Sequence, residues 1–152
     1  MSNGAWIALA ALVVALGFGG YRALTDGRFR GTRAIEGGGE AEQVHEDGAA
    51  WTAVLAALPA AERGSRATLL QFSSAFCAPC RATRRVLQDV AGVVPGVVHL
   101  ELDAEHHLDL VRRLDVLRTP TTLVLDAGGH EVTRAAGAPR KEQVLDALTR
   151  LS

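Results

Sequence analysis

Hydrophobic and polar positions follow two different periods from Asp47 to the C-terminus. Apolar residues spaced three and four positions apart predict amphipathic helices, and short apolar runs with polar ends predict buried strands. In chain order, the predicted elements are a helix over Trp51–Leu58, a strand over Thr68–Phe72, a helix over Cys77–Val90, a strand over Val97–Asp103, a helix over Leu108–Leu114, strands over Thr121–Asp126 and Glu131–Ala136, and a helix over Pro139–Leu151. This order predicts an α/β fold with a mixed central sheet, covered by helices on both faces and ending in a hairpin.

An apolar segment near the N-terminus stands apart from this pattern. Ala5–Tyr21 carries no charge, and Trp6 and Tyr21 stand near its ends like interfacial anchors. No basic residue precedes the segment and no small-residue cleavage site follows Phe18, which argues against a cleaved signal peptide. The sequence therefore predicts a short tail (1–4) and one transmembrane helix (5–21) that anchors the chain in the cell membrane.

The charges beside this segment predict its orientation. Four arginines follow it closely: Arg22, Arg28, Arg30 and Arg33. By the positive-inside rule they favour a cytosolic position for the rest of the chain. The extracytoplasmic side stays open, because the asymmetry rests on a single loop.

The stretch between the apolar segment and the first predicted helix is poor in apolar residues. It contains the run Gly37-Gly38-Gly39 and several charges. Such a segment buries too little surface to order itself, so residues 22–46 are predicted to be a flexible linker. Residues 47–152 are then the globular domain.

Composition limits the classes of function. The formal net charge is −1, which argues against binding to nucleic acid, and 48% of the residues are hydrophobic. The chain has only two cysteines, Cys77 and Cys80, so it carries no framework of structural disulfides. We infer that these two thiols take part in a reaction and do not serve as a structural cross-link.

The cysteine pair lies where a predicted strand gives way to a predicted helix. Two thiols at i and i+3 on the first helical turn can reach each other, so the pair can close as a disulfide or open as a dithiol. The cysteine nearer the helix N-terminus gains from the unpaired backbone N–H groups there, which favour a thiolate. We therefore predict that Cys77 is the nucleophile and Cys80 the resolving thiol. Pro79 fits the first turn, where its missing N–H costs nothing.

From about Ala49 to the C-terminus, the chain resembles the thioredoxin family. Phe76-Cys77-Ala78-Pro79-Cys80 is similar to the family's tryptophan-cysteine-glycine-proline-cysteine site, and Thr119-Pro120-Thr121 is similar to its cis-proline turn. Gly137 matches the glycine beside the substrate groove of that family. The resemblance implies a thioredoxin fold preceded by the predicted transmembrane helix.

The resemblance also implies an activity, namely thiol-disulfide exchange, and together with the predicted anchor it indicates a membrane-tethered disulfide reductase. The expected partners are protein disulfide substrates and an electron donor of unknown identity. No cofactor and no metal are expected, and the chain is expected to be a monomer. The residues expected to bind substrate are Phe76, Ala78, Pro79, Thr119, Pro120 and Gly137. The direction of net electron flow depends on the reduction potential and stays open.

Two positions depart from the family pattern. The family usually places an aspartate six residues before the first cysteine and a lysine on the adjoining strand, where this chain has Gln71 and His99. One hypothesis makes neutral His99 the base that accepts the Cys80 proton, with Gln71 as its polar partner. The alternative is a core histidine whose hydrogen bonds are satisfied by Gln71 or by the backbone.

Two other classes of function stay open. A zinc or iron–sulfur site would need ligands beyond the cysteine pair, and the chain has no second C-x-x-C. The candidate ligands are His45, His99, His106 and His107. A non-enzymatic redox sensor or adaptor would share the thiol pair but would show no turnover.

Overall fold

The computed structural model describes residues 3–25, 28–31 and 48–151. In these ranges the helices are α1 (Asn3–Thr25), α2 (Ala49–Ala57), α3 (Ala78–Val93), α4 (Leu108–Arg113) and α5 (Lys141–Thr149). The strands are β1 (Phe29–Gly31), β2 (Ala67–Ser73), β3 (Val97–Asp103), β4 (Thr121–Asp126) and β5 (Glu131–Ala136). The predicted succession from α2 to α5 is confirmed, and only the ends of the elements shift.

The described strands form one mixed sheet in the order β1-β5-β4-β2-β3. β2 and β3 run parallel, with α3 as the crossover between them, whereas β4 runs antiparallel to β2 and continues into the β4–β5 hairpin. The carboxyl end of β2 therefore leads directly into α3, and this junction places the cysteines at the edge of the sheet.

Strand β1 lies where the sequence predicted a linker. Phe29 and its neighbours pair antiparallel with β5, and the half-buried Phe29 side chain packs on the core beneath α3 and α5. Phe29 alone buries a large apolar area, and this burial can order the short strand although the stretch as a whole is rich in glycine. Residues 22–25, also predicted to be linker, instead form the last turn of α1. The linker residues 26–27 and 32–46, which include Arg33, lie outside the described residues.

The predicted membrane anchor is wrong. Residues 5–21 do form a helix within α1, but none of the helices in the described parts of the chain is long and apolar enough to cross a bilayer. The strongly apolar run of α1 ends at Phe18 and is followed by Gly19, Gly20 and Tyr21. From Trp6 to Phe18 a helix rises about 20 Å, and the hydrocarbon core of a bilayer is about 30 Å thick. The predicted cell-membrane localisation, with the rest of the chain in the cytosol, depended on this anchor and is therefore also wrong.

Two hydrophobic cores cover the faces of the sheet, and alternation along β2 assigns its residues to them. Leu70 and Phe72 point to the core under α2 and α4, whereas Leu69 points to the core under α3 and α5. Gln71, which alternates with Leu70 and Phe72, therefore faces α3. A polar side chain is thus placed directly beneath the helix that carries the cysteines.

Arg134 of β5 fixes the loop that leads from α4 to β4. Its Nη1 donates to the carbonyl oxygens of Leu114 and Asp115 over 3.0 and 3.2 Å. Asp115 has a φ of 50°, in the left-handed region that non-glycine residues rarely adopt. Two hydrogen bonds to the adjoining carbonyls hold this turn in place, and the turn leads into Thr119 and Pro120.

Candidate active site

Cys77 and Cys80 form a disulfide at the start of α3, with their Sγ atoms 2.03 Å apart. Cys77 is the N-cap of the helix, and Pro79 stands within its first turn. The backbone N–H of Cys80 donates to Cys77 Sγ over 3.1 Å. A donor aimed at this sulfur, together with the helix N-terminus, favours the thiolate of Cys77 when the disulfide opens.

The two cysteines differ in burial. Cys80 is 1% exposed and faces the core, whereas Cys77 is half-buried and reaches the surface. An incoming disulfide can therefore meet the sulfur of Cys77 but not that of Cys80. This asymmetry agrees with the roles predicted for the two thiols.

The predicted proline turn is joined to the loop that precedes the cysteines. The Thr119–Pro120 peptide bond is cis, and the hydroxyls of Thr119 and Ser74 lie 3.2 Å apart. Gly137 donates its backbone N–H to the carbonyl of Pro120 over 2.8 Å. Its φ of 109° lies in a region that glycine adopts freely but that would strain the backbone of any residue with a side chain. The structure thus brings together the residues around Cys77, Thr119–Pro120 and Gly137, which are far apart in the sequence.

Exposed apolar side chains belong to the two loops of this site. Phe76 is fully exposed at 100%, and Ala78 and Pro79 beside the cysteines are also exposed. Leu117, three residues before Pro120, is 87% exposed. Sequence reasoning missed Leu117, although an apolar residue in a charged loop next to an X-Pro step is a usable signal. Isolated apolar residues are common on surfaces, but several on loops joined at one site favour binding of a partner chain.

Comparison with known proteins decides the family. The family model for thioredoxin matches residues 49–150. The chain belongs to the thioredoxin family. It is similar to thioredoxin H2-2 of rice (Oryza sativa subsp. japonica), with 34% identity over 74 residues, which cover 49% of this chain and 54% of the rice protein. The chain spans little more than half the length of the first relatives that it matches.

Solved thioredoxin structures agree with the fold. The X-ray structure of Fasciola hepatica thioredoxin is similar with a TM-score of 0.52 and 24% identity, over 59% of this chain and 84% of that chain. The structure of spinach chloroplast thioredoxin F is similar with a TM-score of 0.53 and 23% identity, over 70% of this chain and 88% of that chain. At such identities the likeness shows the fold alone.

Behind the cysteines, this thioredoxin-family chain has an amide and an imidazole. Gln71 is completely buried, and its Nε2 donates to the carbonyl oxygen of Cys80 over 3.0 Å. This bond fixes the orientation of the amide, so Gln71 Oε1 must accept from His99 Nε2, which lies 3.1 Å away. His99 therefore carries its proton on Nε2, and Nδ1 is its only atom that can accept another.

Burial and two charges set the protonation of His99. Burial lowers the pKa of His99 below its ordinary value, Glu101 acts to raise this pKa, and Arg84 acts to lower it. Burial acts to raise the pKa of Glu101, whereas hydrogen bonds from Arg84 and Ser73 act to lower it. The lowering effects together are larger, so the pKa of Glu101 lies below its ordinary value. Arg84 Nη2 donates to Glu101 Oε1 over 2.7 Å. His99 is thus held neutral beside an ion pair that is already satisfied.

The described histidines considered as metal ligands, His99, His106 and His107, form no group with the cysteines that could hold a metal ion. His99 binds Gln71, and His106 Nδ1 lies 3.0 Å from a carboxylate oxygen of Asp103. His45 lies outside the described residues. Within the described ranges, no group of three or more His, Cys, Asp or Glu side chains is arranged to hold a metal ion.

Proposed function

We propose that this chain is a protein disulfide reductase in which Cys77 attacks and Cys80 resolves. The observation that carries the proposal is the unequal burial of two linked sulfurs at one helix N-terminus. Membership of the thioredoxin family supports the same chemistry. The activity needs no cofactor, because the cysteine pair itself carries the two electrons.

The reaction proceeds by two displacements at sulfur. The Cys77 thiolate attacks one sulfur of a substrate disulfide, and the other substrate sulfur leaves as a thiolate and takes up a proton. Cys80 then loses its proton and attacks Cys77 Sγ, which releases the second substrate thiol and closes the Cys77–Cys80 disulfide. A dithiol donor must return two electrons and two protons to restore the reduced pair.

The loops around the sulfurs are the proposed binding surface for the substrate. Phe76, Ala78, Pro79 and Leu117 offer exposed apolar contacts. Thr119 lies two residues before β4, so its peptide groups can extend the pairing of that strand to an extended substrate segment. Pro120 and Gly137, joined by their backbone hydrogen bond, are the proposed floor of this groove.

Gln71 and His99 are proposed to position Cys80. Gln71 Nε2 donates a hydrogen bond to the Cys80 carbonyl, and His99 Nε2 donates one to Gln71 Oε1. Because His99 Nε2 is a donor in this arrangement, the imidazole supports the resolving cysteine through Gln71. A proton taken by His99 as a base would have to reach Nδ1, on the other side of the ring.

Reduction of insulin disulfides by dithiothreitol tests the proposed activity. We expect the full chain to accelerate the reduction, and we expect Cys77→Ser and Cys80→Ser each to abolish turnover while both variants stay folded. The exposed Val93→Ala variant is the control and should keep full activity. Absence of acceleration by the folded wild-type chain would overturn the proposal and would favour a redox sensor or adaptor.

A further inference from the structure

Two threonine hydroxyls in the interior of the domain have no partner among the described residues. Thr83 on α3 is 1% exposed and Thr122 on β4 is 0% exposed, and neither Oγ1 makes a hydrogen bond to a described residue. A buried hydroxyl without a partner forfeits the hydrogen bonds that it makes with water in the unfolded chain. Such groups in native proteins usually bind an internal water molecule.

Both hydroxyls belong to the region behind the cysteines. Thr122 is the direct cross-strand partner of Gln71, so the two side chains stand side by side on the face of the sheet that α3 covers. Thr83 follows Cys80 by three residues and shares the buried face of α3 with it. Gln71 joins the sheet to the helix at this point, because its amide reaches the Cys80 carbonyl.

We propose that Thr83 and Thr122 bind an internal water molecule beneath Cys80, and that this water stabilises the Cys80 thiolate during the resolving step. The polar atoms suit a water, since each hydroxyl can donate and accept and the second N–H of Gln71 is a further donor. His99 Nε2 is already engaged with Gln71 Oε1. The catalytic part of this inference rests on the proposed reductase function, whereas the existence of the water site does not.

The proposed water affects a single chemical step, the attack of Cys80 on the mixed disulfide. In the mixed disulfide, Cys80 loses its proton to solvent and its sulfur attacks Cys77 Sγ. The bond between Cys77 and the substrate sulfur breaks, and the substrate leaves as a thiolate that takes a proton from solvent, so charge and protons balance. A water donating to the buried Cys80 sulfur lowers the free energy of the thiolate that attacks.

The charged groups near Cys80 lie on α3 and β3. On its own helix, Arg81, Arg84 and Arg85 are exposed, and Arg84 is paired with Glu101 of β3. The other titratable groups on β3 are His99 and Asp103. At this place β2 and β4 contribute Gln71 and Thr122, which carry no charge. The buried face of α5 is also uncharged and consists of Val144, Ala147 and Leu148.

Nuclear magnetic resonance of the wild-type chain tests the site without any substitution. We expect cross-relaxation between a long-lived water and the methyl groups of Thr83 and Thr122. Thr68 is the matched control, because it is equally buried but its hydroxyl already accepts from the N–H of Gly64 over 3.0 Å. Signals from Thr83 and Thr122 no stronger than that from Thr68 would overturn the water site.

Stopped-flow reaction of the reduced full chain with Ellman's reagent tests the catalytic role. The first thionitrobenzoate is released by Cys77 and the second by Cys80. In the Thr83→Val/Thr122→Val double variant, we expect the pH midpoint of the second phase to rise by about one unit, which is about tenfold slower release below that midpoint. We expect the first phase to be unchanged, and Thr68→Val to leave both phases unchanged.

The outcomes separate this inference from the proposed function. A double variant with an unaltered second phase would overturn the role of the water while leaving the reductase proposal intact. A wild-type chain without the first phase would contradict the reductase proposal itself. The Thr83→Ser/Thr122→Ser variant keeps both hydroxyls and should restore the wild-type midpoint, and failure to restore it would show that packing, not the hydroxyls, sets the rate.

Discussion

The hydroxyl of Ser74 lies 3.2 Å from the hydroxyl of Thr119, although 45 positions separate the two residues in the chain. This hydrogen bond joins the loop that leads into Cys77 to the turn that contains Pro120. The bond therefore holds together the two loops between which, in the proposed mechanism, a substrate disulfide would approach Cys77.

Removal of either hydroxyl should weaken catalysis without unfolding the domain. A hydrogen bond of this kind contributes about 1 kcal/mol, so Ser74→Ala and Thr119→Val should each lower kcat/KM about fivefold. In the double variant the losses should be less than additive, because both substitutions remove the same bond. Insulin reduction by each variant checks this expectation. Thr149→Val, which removes an exposed hydroxyl near the end of α5, is the control and should retain wild-type activity.

Phe76 should matter for protein substrates and not for stability. Its side chain is fully exposed, so Phe76→Ala removes no core contact and should leave the melting temperature unchanged. We expect KM for insulin to rise severalfold while the rate with Ellman's reagent, which is too small to span the groove, stays the same. The exposed Leu108→Ala variant should change neither. Equal losses with both substrates would mean that Phe76 acts on the cysteines themselves.

His99 should make the domain less stable in mild acid. Below about pH 6.5 the unfolded chain binds a proton at His99, whereas the folded chain, with its lowered pKa, takes up that proton only at lower pH. The unfolded state therefore binds more protons, and stability falls as pH falls from about 6.5 toward the folded pKa.

Urea denaturation between pH 5 and pH 8 measures this dependence. We expect the free energy of unfolding to fall less steeply toward pH 5 in His99→Gln than in the wild-type chain. Thr149→Val changes no titratable group and should keep the wild-type slope. A wild-type slope in His99→Gln would show that His99 is not held neutral by its surroundings.

Arg134 should stabilise the loop that carries the proline turn. Arg134→Ala removes two hydrogen bonds to the carbonyls of Leu114 and Asp115, and it also removes the ion pair between Arg134 and Glu131. The loss of charged hydrogen bonds at a half-buried site should lower the free energy of unfolding by about 1–3 kcal/mol. Arg112→Ala, which breaks an exposed ion pair with Asp109, should lower it by less than about 1 kcal/mol. Equal losses in urea titrations would contradict the role of Arg134.

Local patterns in the sequence predict most of the fold. The strands β2 to β5 and the helices that cover them follow from apolar periodicity, and the position predicted for Cys77 at a helix N-terminus is confirmed. The strand β1 could not be predicted, because its three residues gain their order from pairing with β5 and not from their own pattern. The predicted anchor is wrong because the strongly apolar part of 5–21 is shorter than the hydrocarbon core of a bilayer, and the glycines near its end add little apolar length.

The interior of the site was harder to predict than its surface. The sequence identified Gln71 and His99 as unusual, but only the hydrogen bond from Gln71 to the Cys80 carbonyl fixes which imidazole nitrogen is the donor. Thr83 and Thr122 gave no signal, because isolated threonines are ordinary in helices and strands. Their importance depends on burial and on strand register, which a single sequence does not reveal.

Covalent trapping is the most direct test of the central claim that Cys77 attacks and Cys80 resolves. The Cys80→Ser and Cys77→Ser chains would each be reduced, mixed with a disulfide-linked peptide at pH 7 and analysed by intact mass. We predict a stable peptide adduct on Cys80→Ser, because Cys77 attacks and nothing resolves the mixed disulfide, and almost none on Cys77→Ser. Equal adduct formation by the two variants, or adduct on Cys77→Ser alone, would contradict the account.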